Sequence, residues 1–220
     1  LRRQRQMCIR DSCGASGSTL RFLLPLAMAR GQVGTRFTGT RRLLARPLPG
    51  DWGLAPTENG LRVTRPLSPG RIPVDGSRTS QLVSGLLMAA PLIAPEQGLR
   101  IRIDGELISS PYVSLTCRLM ERFGVEVKTS EKDFLVPRTL YKAPSVFEVE
   151  ADASSASYFL ALGALVGPLK INGIGADSVQ GDAAFVEYLV KMGAAVTPGE
   201  NWIKTCLLYT SPSPRDGATS

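Results

Sequence analysis

Two short stretches of this chain concentrate side chains that could hold an anion. Val74-Asp75-Gly76-Ser77-Arg78-Thr79-Ser80-Gln81 and Asp152-Ala153-Ser154-Ser155-Ala156-Ser157-Tyr158 each put small hydroxyl and amide groups where a strand hands over to a helix. The first N–H groups of a helix have no intrahelical partner, and the helix dipole favours negative charge there. Two such junctions in one chain point to a protein that handles phosphate. The same residues also have plainer uses. Ser77 and Thr79 are types that cap helices, and on residue type alone capping is favoured. Tyr112, after Pro111, serves equally well as a half-buried aromatic. Arg21 and Arg42 read as structural charges, and Ser154-Ser155-Ala156-Ser157 as a small-residue face for close helix packing.

Composition narrows the classes. The 220 residues include no histidine, and of the four cysteines Cys8, Cys13, Cys117 and Cys206 none has a Cys-x-x-Cys spacing. This argues against a zinc site or disulfide framework and fits a reducing cytoplasm, with Cys117 packed in a helix. No apolar run reaches membrane-spanning length; Phe22–Met28 is short and lies in an amphipathic segment. Of the +7 formal charge, Arg2, Arg3, Arg5 and Arg10 against Asp11 put +3 in the first dozen residues, leaving about +4 elsewhere. That remainder suits small anionic ligands better than nucleic acid.

Both ends read as translated adapter DNA. Gln6-Met7-Cys8-Ile9-Arg10-Asp11 back-translates to a string whose reverse complement, one base out of frame, encodes Cys206-Leu207-Leu208-Tyr209-Thr210-Ser211. Residues 1–12 and 206–220 are therefore expected to lie outside the fold.

Between them, strand and helix signals alternate. Gly17–Arg30 reads as a helix and Gln32–Thr38 as a strand; Arg71–Asp75 feeds a helix from Thr79 to Ala90, stopped by Pro91. Leu99–Asp104 is a strand and Pro111–Phe123 a helix ended by Gly124. Val125–Val127 with Phe134–Val136 make a hairpin. The order then recurs: strand Val146–Glu150, helix Ala153–Leu165, strand Leu169–Ile171, helix Asp182–Met192, and a hairpin of Ala195–Thr197 with Trp202–Lys204. A βαβαββ unit of roughly 60–70 residues thus appears twice, after a degraded copy opening at Gly17. Each unit leaves an apolar helix face that needs a neighbour. The expected class is α/β (α+β), with mixed sheets around inward-packed helices.

These motifs carry a specific resemblance. Gly14-Ala15-Ser16-Gly17-Ser18-Thr19-Leu20-Arg21, Thr38-Gly39 with Ala45-Arg46-Pro47, Asp75 to Gln81, Ser109-Ser110-Pro111-Tyr112, Asp152 to Leu160, and Gln180-Gly181-Asp182 occur in order. In that order and near that spacing they resemble the 5-enolpyruvylshikimate-3-phosphate (EPSP) synthase family of enolpyruvyl transferases, over about Cys13 to Lys204. The resemblance implies a partial inside-out α/β barrel of repeated βαβαββ units. It implies transfer of the enolpyruvyl group of phosphoenolpyruvate to the 5-hydroxyl of shikimate 3-phosphate, on the way to chorismate and the aromatic amino acids. Neither metal nor organic cofactor is implied, and the family enzyme is usually a cytoplasmic monomer.

By motif position, the resemblance places Thr79, Ser80 and Ser109 on the 3-phosphate, and Gln81 and Tyr112 on the shikimate ring. It places Gly17, Ser18 and Arg46 on phosphoenolpyruvate, with Gln81 reaching that side too. Gly17, Arg46 and Gln81 also fall where glyphosate binds in the family. The implied division is 13–150 for most of one domain and 151–205 for the first repeat of the other. The family's opening Lys-Ser pair and its late carboxylates, arginines and lysine have no counterpart here, so no general acid or base is assigned and no turnover is expected. Between Pro47 and Leu61 the chain is about a dozen residues short of the pattern, with the Pro/Gly-rich Leu48-Pro49-Gly50-Asp51-Trp52-Gly53 replacing an expected helix and strand. Two other readings stand beside this one: a UDP-N-acetylglucosamine enolpyruvyl transferase, differing in acceptor, and a nucleic-acid-binding or RNA-end-processing domain of related fold.

Overall fold

One strand order recurs three times in the computed structural model, which describes residues 12–46, 48, 52–68 and 70–208. The chain divides into two compact units between Ala143 and Pro144. The first unit opens with α1 (Gly17–Ala29), β1 (Arg36–Thr38), α2 (Arg41–Leu44), β2 (Leu54–Thr57) and β3 (Gly60–Val63). It continues with β4 (Arg71–Asp75), α3 (Ser80–Ala89), β5 (Leu99–Asp104), α4 (Ser110–Arg122), β6 (Lys128–Thr129) and β7 (Asp133–Val136). The second unit contains α5 (Ala153–Val166), β8 (Leu169–Asn172), α6 (Phe185–Lys191), β9 (Ala194–Pro198) and β10 (Trp202–Leu208). The sheets run β1-β3-β2, β4-β5-β7-β6 and β8-β10-β9. In each copy the last strand of a hairpin returns between its partner and an earlier strand. β4 pairs parallel with β5, and the other ladders are antiparallel, which makes the middle sheet mixed.

Side-chain alternation fixes the first unit's core. β5 buries Leu99, Ile101 and Ile103 and exposes Arg100, Arg102 and Asp104. Ile101 pairs with Ile72 of β4 on one side and Phe134 of β7 on the other. α3 buries Leu82, Val83, Leu86, Leu87 and Ala89, covering nearly all its faces as an enclosed helix must. It packs on α1 and α4, and its leucines join Leu20, Leu24 and Met28 of α1 in one apolar cluster with the sheet. The α1–α3 approach is close at Gly85, where a β-carbon would lie 2.5 Å from Arg21 O. Pro25 inside α1 denies that carbonyl its i+4 donor.

Several expected elements change. The Gln32–Thr38 strand shortens to Arg36–Thr38, because Gly31 and Gly34, at φ 65° and 91°, turn the chain after α1. The strand expected to be missing after Pro47 is present as β2, in a hairpin with β3 closed at Glu58-Asn59. Gly60 permits it, since a β-carbon there would lie 1.9 Å from Phe37 O of β1. The helix of that copy is the single turn α2, capped by Thr40. Val125–Val127 is no strand: Gly124 at φ 82° and the Val125 N–H donated to Met120 O close α4 in a Schellman turn. The hairpin begins instead at Lys128. Val146–Glu150 joins no ladder; Val146 and Val149 are 77% and 83% exposed, so no buried face fixes a register. The expected helix Asp182–Met192 is a 3₁₀ turn, Gly181–Ala184, followed by α6.

In the second unit Asp152 caps α5, and Ser154 and Ser155 donate hydrogen bonds at the helix start rather than pack. Asp152 Oδ2 accepts the Ser155 N–H at 3.1 Å and the Ser155 hydroxyl, while Ser154 donates to Asp182. The packing face of α5 is Ala153, Ala156, Leu160, Gly163 and Ala164, and Thr205 of β10 donates to Leu160 O at 3.0 Å. The other face of α5 leaves Tyr158, Leu165 and Val166 exposed. β10 runs through Cys206 and Leu207, which the adapter reading set aside; residues 1–11 and 209–220 lie outside the described residues. No helix among the described residues is long and apolar enough to cross a membrane.

Gly85→Ala is expected to destabilise the first unit by about 1–3 kcal/mol, because a clash with backbone outweighs alanine's better helix propensity. A urea melt checks this, and unchanged or raised stability would contradict the close crossing. Hydrogen bonds from Ser155, then from Ser154, hold the Asp152 carboxyl below its ordinary value. A carboxyl depressed by folding adds stability above its unfolded pKa and loses it as pH falls through the folded one. The second unit should therefore weaken below about pH 4. Asp152→Asn, which keeps the cap acceptor, should lose that part of the acid dependence in denaturation curves measured from pH 2 to 6; an unaltered dependence would assign it to other carboxyls.

Candidate functional site

Three helix starts in the first unit carry the residues singled out from the sequence. α1 is capped by Ser16, whose Oγ accepts the Thr19 N–H at 3.2 Å, so Gly17 and Ser18 occupy its first turn. Their N–H groups have no i−4 acceptor. Arg46, just beyond α2, lays its guanidinium over this turn. A β-carbon at Gly17 would lie 2.7 Å from Arg46 Nη1 and 3.2 Å from Arg21 Nη1.

α3 begins in a similar way. Thr79 Oγ1 accepts the Gln81 N–H at 3.2 Å, so its hydroxyl does cap, while keeping its own proton for another acceptor. Ser77 does not cap; its N–H and hydroxyl both donate to Asp75. Ser80 is buried. Gln81 spans the two helices: Nε2 donates to Ser18 Oγ at 2.9 Å, and Oε1 accepts from Arg21 Nη1 at 2.9 Å. The guanidinium can only donate, which fixes the amide's orientation.

Before α4, Ser109 holds φ 54° and ψ 41°, a left-handed conformation unusual for a residue with a side chain, and its hydroxyl makes no capping bond. Backbone strain of this kind persists only where the surroundings impose it. Ser109 and Tyr112 share a cleft of about 580 Å³ with Arg21, Arg78, Thr79, Ser80 and Gln81. At its base Thr116 Oγ1 bonds both Ser84 Oγ of α3 and Tyr112 O, each at 2.8 Å, tying the two helices together. Tyr112 itself is 54% exposed.

The eight candidate residues thus form one group. Thr79, Ser80, Ser109 and Tyr112 line the cleft, Gly17, Ser18 and Arg46 gather at the start of α1, and Gln81 belongs to both. Arg21, set apart above as a structural charge, is at the junction. It is only 8% exposed, and burial first, then the neighbouring Arg46, pull its pKa below the ordinary value. Its place one turn after Gly17 on α1 was the available signal. Two adjacent guanidiniums at a helix start would be relieved by an anion.

Elsewhere the chemistry is quieter. A second cleft, of about 530 Å³, is walled by Trp52, Arg65, Arg71 and Asp104 and shares Arg78, but none of the eight candidates lines it. Burial pushes the Cys117 thiol up, in keeping with packing rather than reactivity. Among the described residues no group of three or more His, Cys, Asp or Glu side chains gathers to hold a metal ion.

Comparison with known proteins gives this geometry a context. The family model of EPSP synthase (3-phosphoshikimate 1-carboxyvinyltransferase) matches residues 54–212. A 3-phosphoshikimate 1-carboxyvinyltransferase of Herminiimonas arsenicoxydans is 41% identical over 210 residues, covering 87% of this chain and 47% of that protein. The structure of EPSP synthase from Acinetobacter baumannii superposes with a TM-score of 0.65 at 23% identity, over 88% of this chain and 47% of that one. The enolpyruvyl transferase NikO from Streptomyces tendae gives 0.59 at 19%, over 86% and 47%. At these identities the two structures establish the fold alone. The chain spans about half the length of the curated relatives it matches. With the family model covering most of the chain and three copies of one strand order beneath it, the protein belongs to the EPSP synthase (3-phosphoshikimate 1-carboxyvinyltransferase) family.

Proposed function

We propose that the first unit carries the shikimate 3-phosphate side and part of the phosphoenolpyruvate side of an enolpyruvyl-transfer site. The observation that carries this reading is the Ser18–Gln81–Arg21 chain of hydrogen bonds, which joins an arginine-flanked helix start to a hydroxyl-lined cleft. Thr79, Ser80 and Ser109 hold the 3-phosphate through hydroxyl and helix-start N–H donors, and Tyr112 and Gln81 meet the ring. Gly17 and Ser18 offer backbone donors to phosphoenolpyruvate. Arg46 supplies a planar donor fork that fits a carboxylate or phosphate better than an ammonium does. With both substrates held, the 5-hydroxyl and the enolpyruvyl carbon are brought into one geometry, and that positioning is this chain's contribution to the rate.

In this reading the whole protein is a cytoplasmic monomer that transfers enolpyruvyl to shikimate 3-phosphate, and glyphosate competes at Gly17, Arg46 and Gln81. Residues 13–150 belong to the shikimate 3-phosphate domain and 151–205 to the first repeat of the other. No nucleic acid or membrane takes part.

Titrating the full chain with shikimate 3-phosphate should shift the amide resonances of Thr79, Ser80 and Ser109; resonances that stay put at millimolar ligand would overturn the proposal. Gln81→Ala should weaken that binding about 5- to 10-fold, the worth of one neutral hydrogen bond. Gly17→Ala should separate binding from stability. Its methyl displaces the Arg46 guanidinium rather than backbone, so melting should stay within about 2 °C while phosphoenolpyruvate affinity falls roughly tenfold. A large loss of stability, or undiminished affinity, would contradict the placement of Arg46.

A further inference from the structure

We propose that Arg78 is a specificity-determining residue of the hydroxyl-lined cleft: it exchanges Asp75 for the dianionic phosphate of a ligand held at Thr79 and Ser80. The inference rests on reading that cleft as a phosphate site and adds a residue that no motif above assigned.

Arg78 precedes the cap of α3 and lines the cleft beside Thr79, Ser80 and Ser109. Its Nε lies 3.4 Å from Asp75 Oδ2, with the two side chains 61% and 52% exposed. An ion pair this long and this wet holds weakly. Asp75 does not depend on Arg78. Its carboxylate takes the N–H and hydroxyl of Ser77, and these bonds, ahead of the Arg78 charge, hold it below the ordinary carboxylate range.

The rest of the cleft gives the cation a purpose. Thr79, Ser80, Ser109 and Tyr112 offer only neutral donors, and Arg21, the other cation lining the cleft, is engaged with Gln81. Arg21 is buried and turned to the Gln81 amide, so of the two cations lining the cleft Arg78 is the exposed one able to swing onto a phosphate dianion at the start of α3. Bonds from guanidinium to phosphate are charge-assisted and frequently bidentate, stronger than the exposed contact given up. Such a cation favours a dianion over a monoanion or a neutral alcohol, which is discrimination between a phosphorylated ligand and its unphosphorylated parent.

The test is to titrate the full chain, Arg78→Gln and Asp75→Asn with shikimate 3-phosphate and, separately, inorganic phosphate, following the Thr79 and Ser80 amides. Arg78→Gln should weaken both ligands about tenfold and flatten the dependence on salt. Asp75→Asn keeps an acceptor for Ser77 but removes the competing charge, so it should bind both about two- to threefold more tightly. The Arg78→Gln deficit should shrink below about pH 6, where the phosphate group becomes a monoanion. If Arg78→Gln binds like the wild type, or Asp75→Asn loses as much as Arg78→Gln, Arg78 only clasps the turn and the inference is overturned while the proposed function stands. If inorganic phosphate follows the expected pattern but shikimate 3-phosphate binds no better than phosphate, Arg78 keeps its role and the proposed substrate fails. Unmoved amides with both ligands overturn both.

Discussion

The candidate site depends on how closely α1 and α3 approach. Gly85 has no β-carbon, so α3 settles against the Arg21 carbonyl, the one that Pro25 deprives of its usual donor. One turn earlier on α3 is Gln81, and one turn apart on α1 are Ser18 and Arg21. At this helix spacing a single amide reaches both, at 2.9 Å each. The apolar cluster of Leu20, Leu24, Met28, Leu86 and Leu87 supplies the driving force, since burying each such side chain is worth about 1.5–3 kcal/mol. Burial is non-directional, however, and it is the absent methyl at Gly85 that decides how near the polar ends come.

Electrostatics at the same junction run against the apolar energetics. Burying Arg21 beside Arg46 disfavours the charged guanidinium, and its lowered pKa records that cost. The Gln81 carbonyl oxygen offsets part of it, and a ligand anion at the start of α1 would offset more. Strain in this region gathers among the candidate residues, at the buried Arg21 and the left-handed Ser109. Sites often hold such strain because the surrounding fold is stable enough to impose it.

Repetition explains why the fold accommodates these demands. The orders β1-β3-β2, β5-β7-β6 and β8-β10-β9 are one solution used three times, and α1, α3 and α5 occupy the same place in it. In the first two copies the equivalent helices pack on each other and share their apolar faces. In the second unit α5 buries only its small-residue face and leaves Tyr158, Leu165 and Val166 in water. A repeat of this kind is complete only in company.

Local chemistry was legible at several positions that short-range rules govern. Alternation in Leu99–Asp104 gave β5 its register of buried and exposed residues, and Gly124 marked the end of α4. Asp152 marked the start of α5, and the ordered motifs pointed to the family that the comparisons establish. Strands without a buried face were not legible: Val146–Glu150 has strand-like residues but no ladder, and Val125 is spent on closing a helix rather than opening a hairpin. β2 was missed because its evidence is a partner strand, and pairing is a long-range event. The amino-acid sequence by itself determined the starts of α1, α3 and α5 and their supply of hydroxyls and N–H donors, because these depend on neighbours within about four residues. Only the tertiary structure decided that Arg21, Arg46, Gln81 and Ser18 meet, because partners up to 63 residues apart are joined by a helix crossing whose closeness no local pattern encodes.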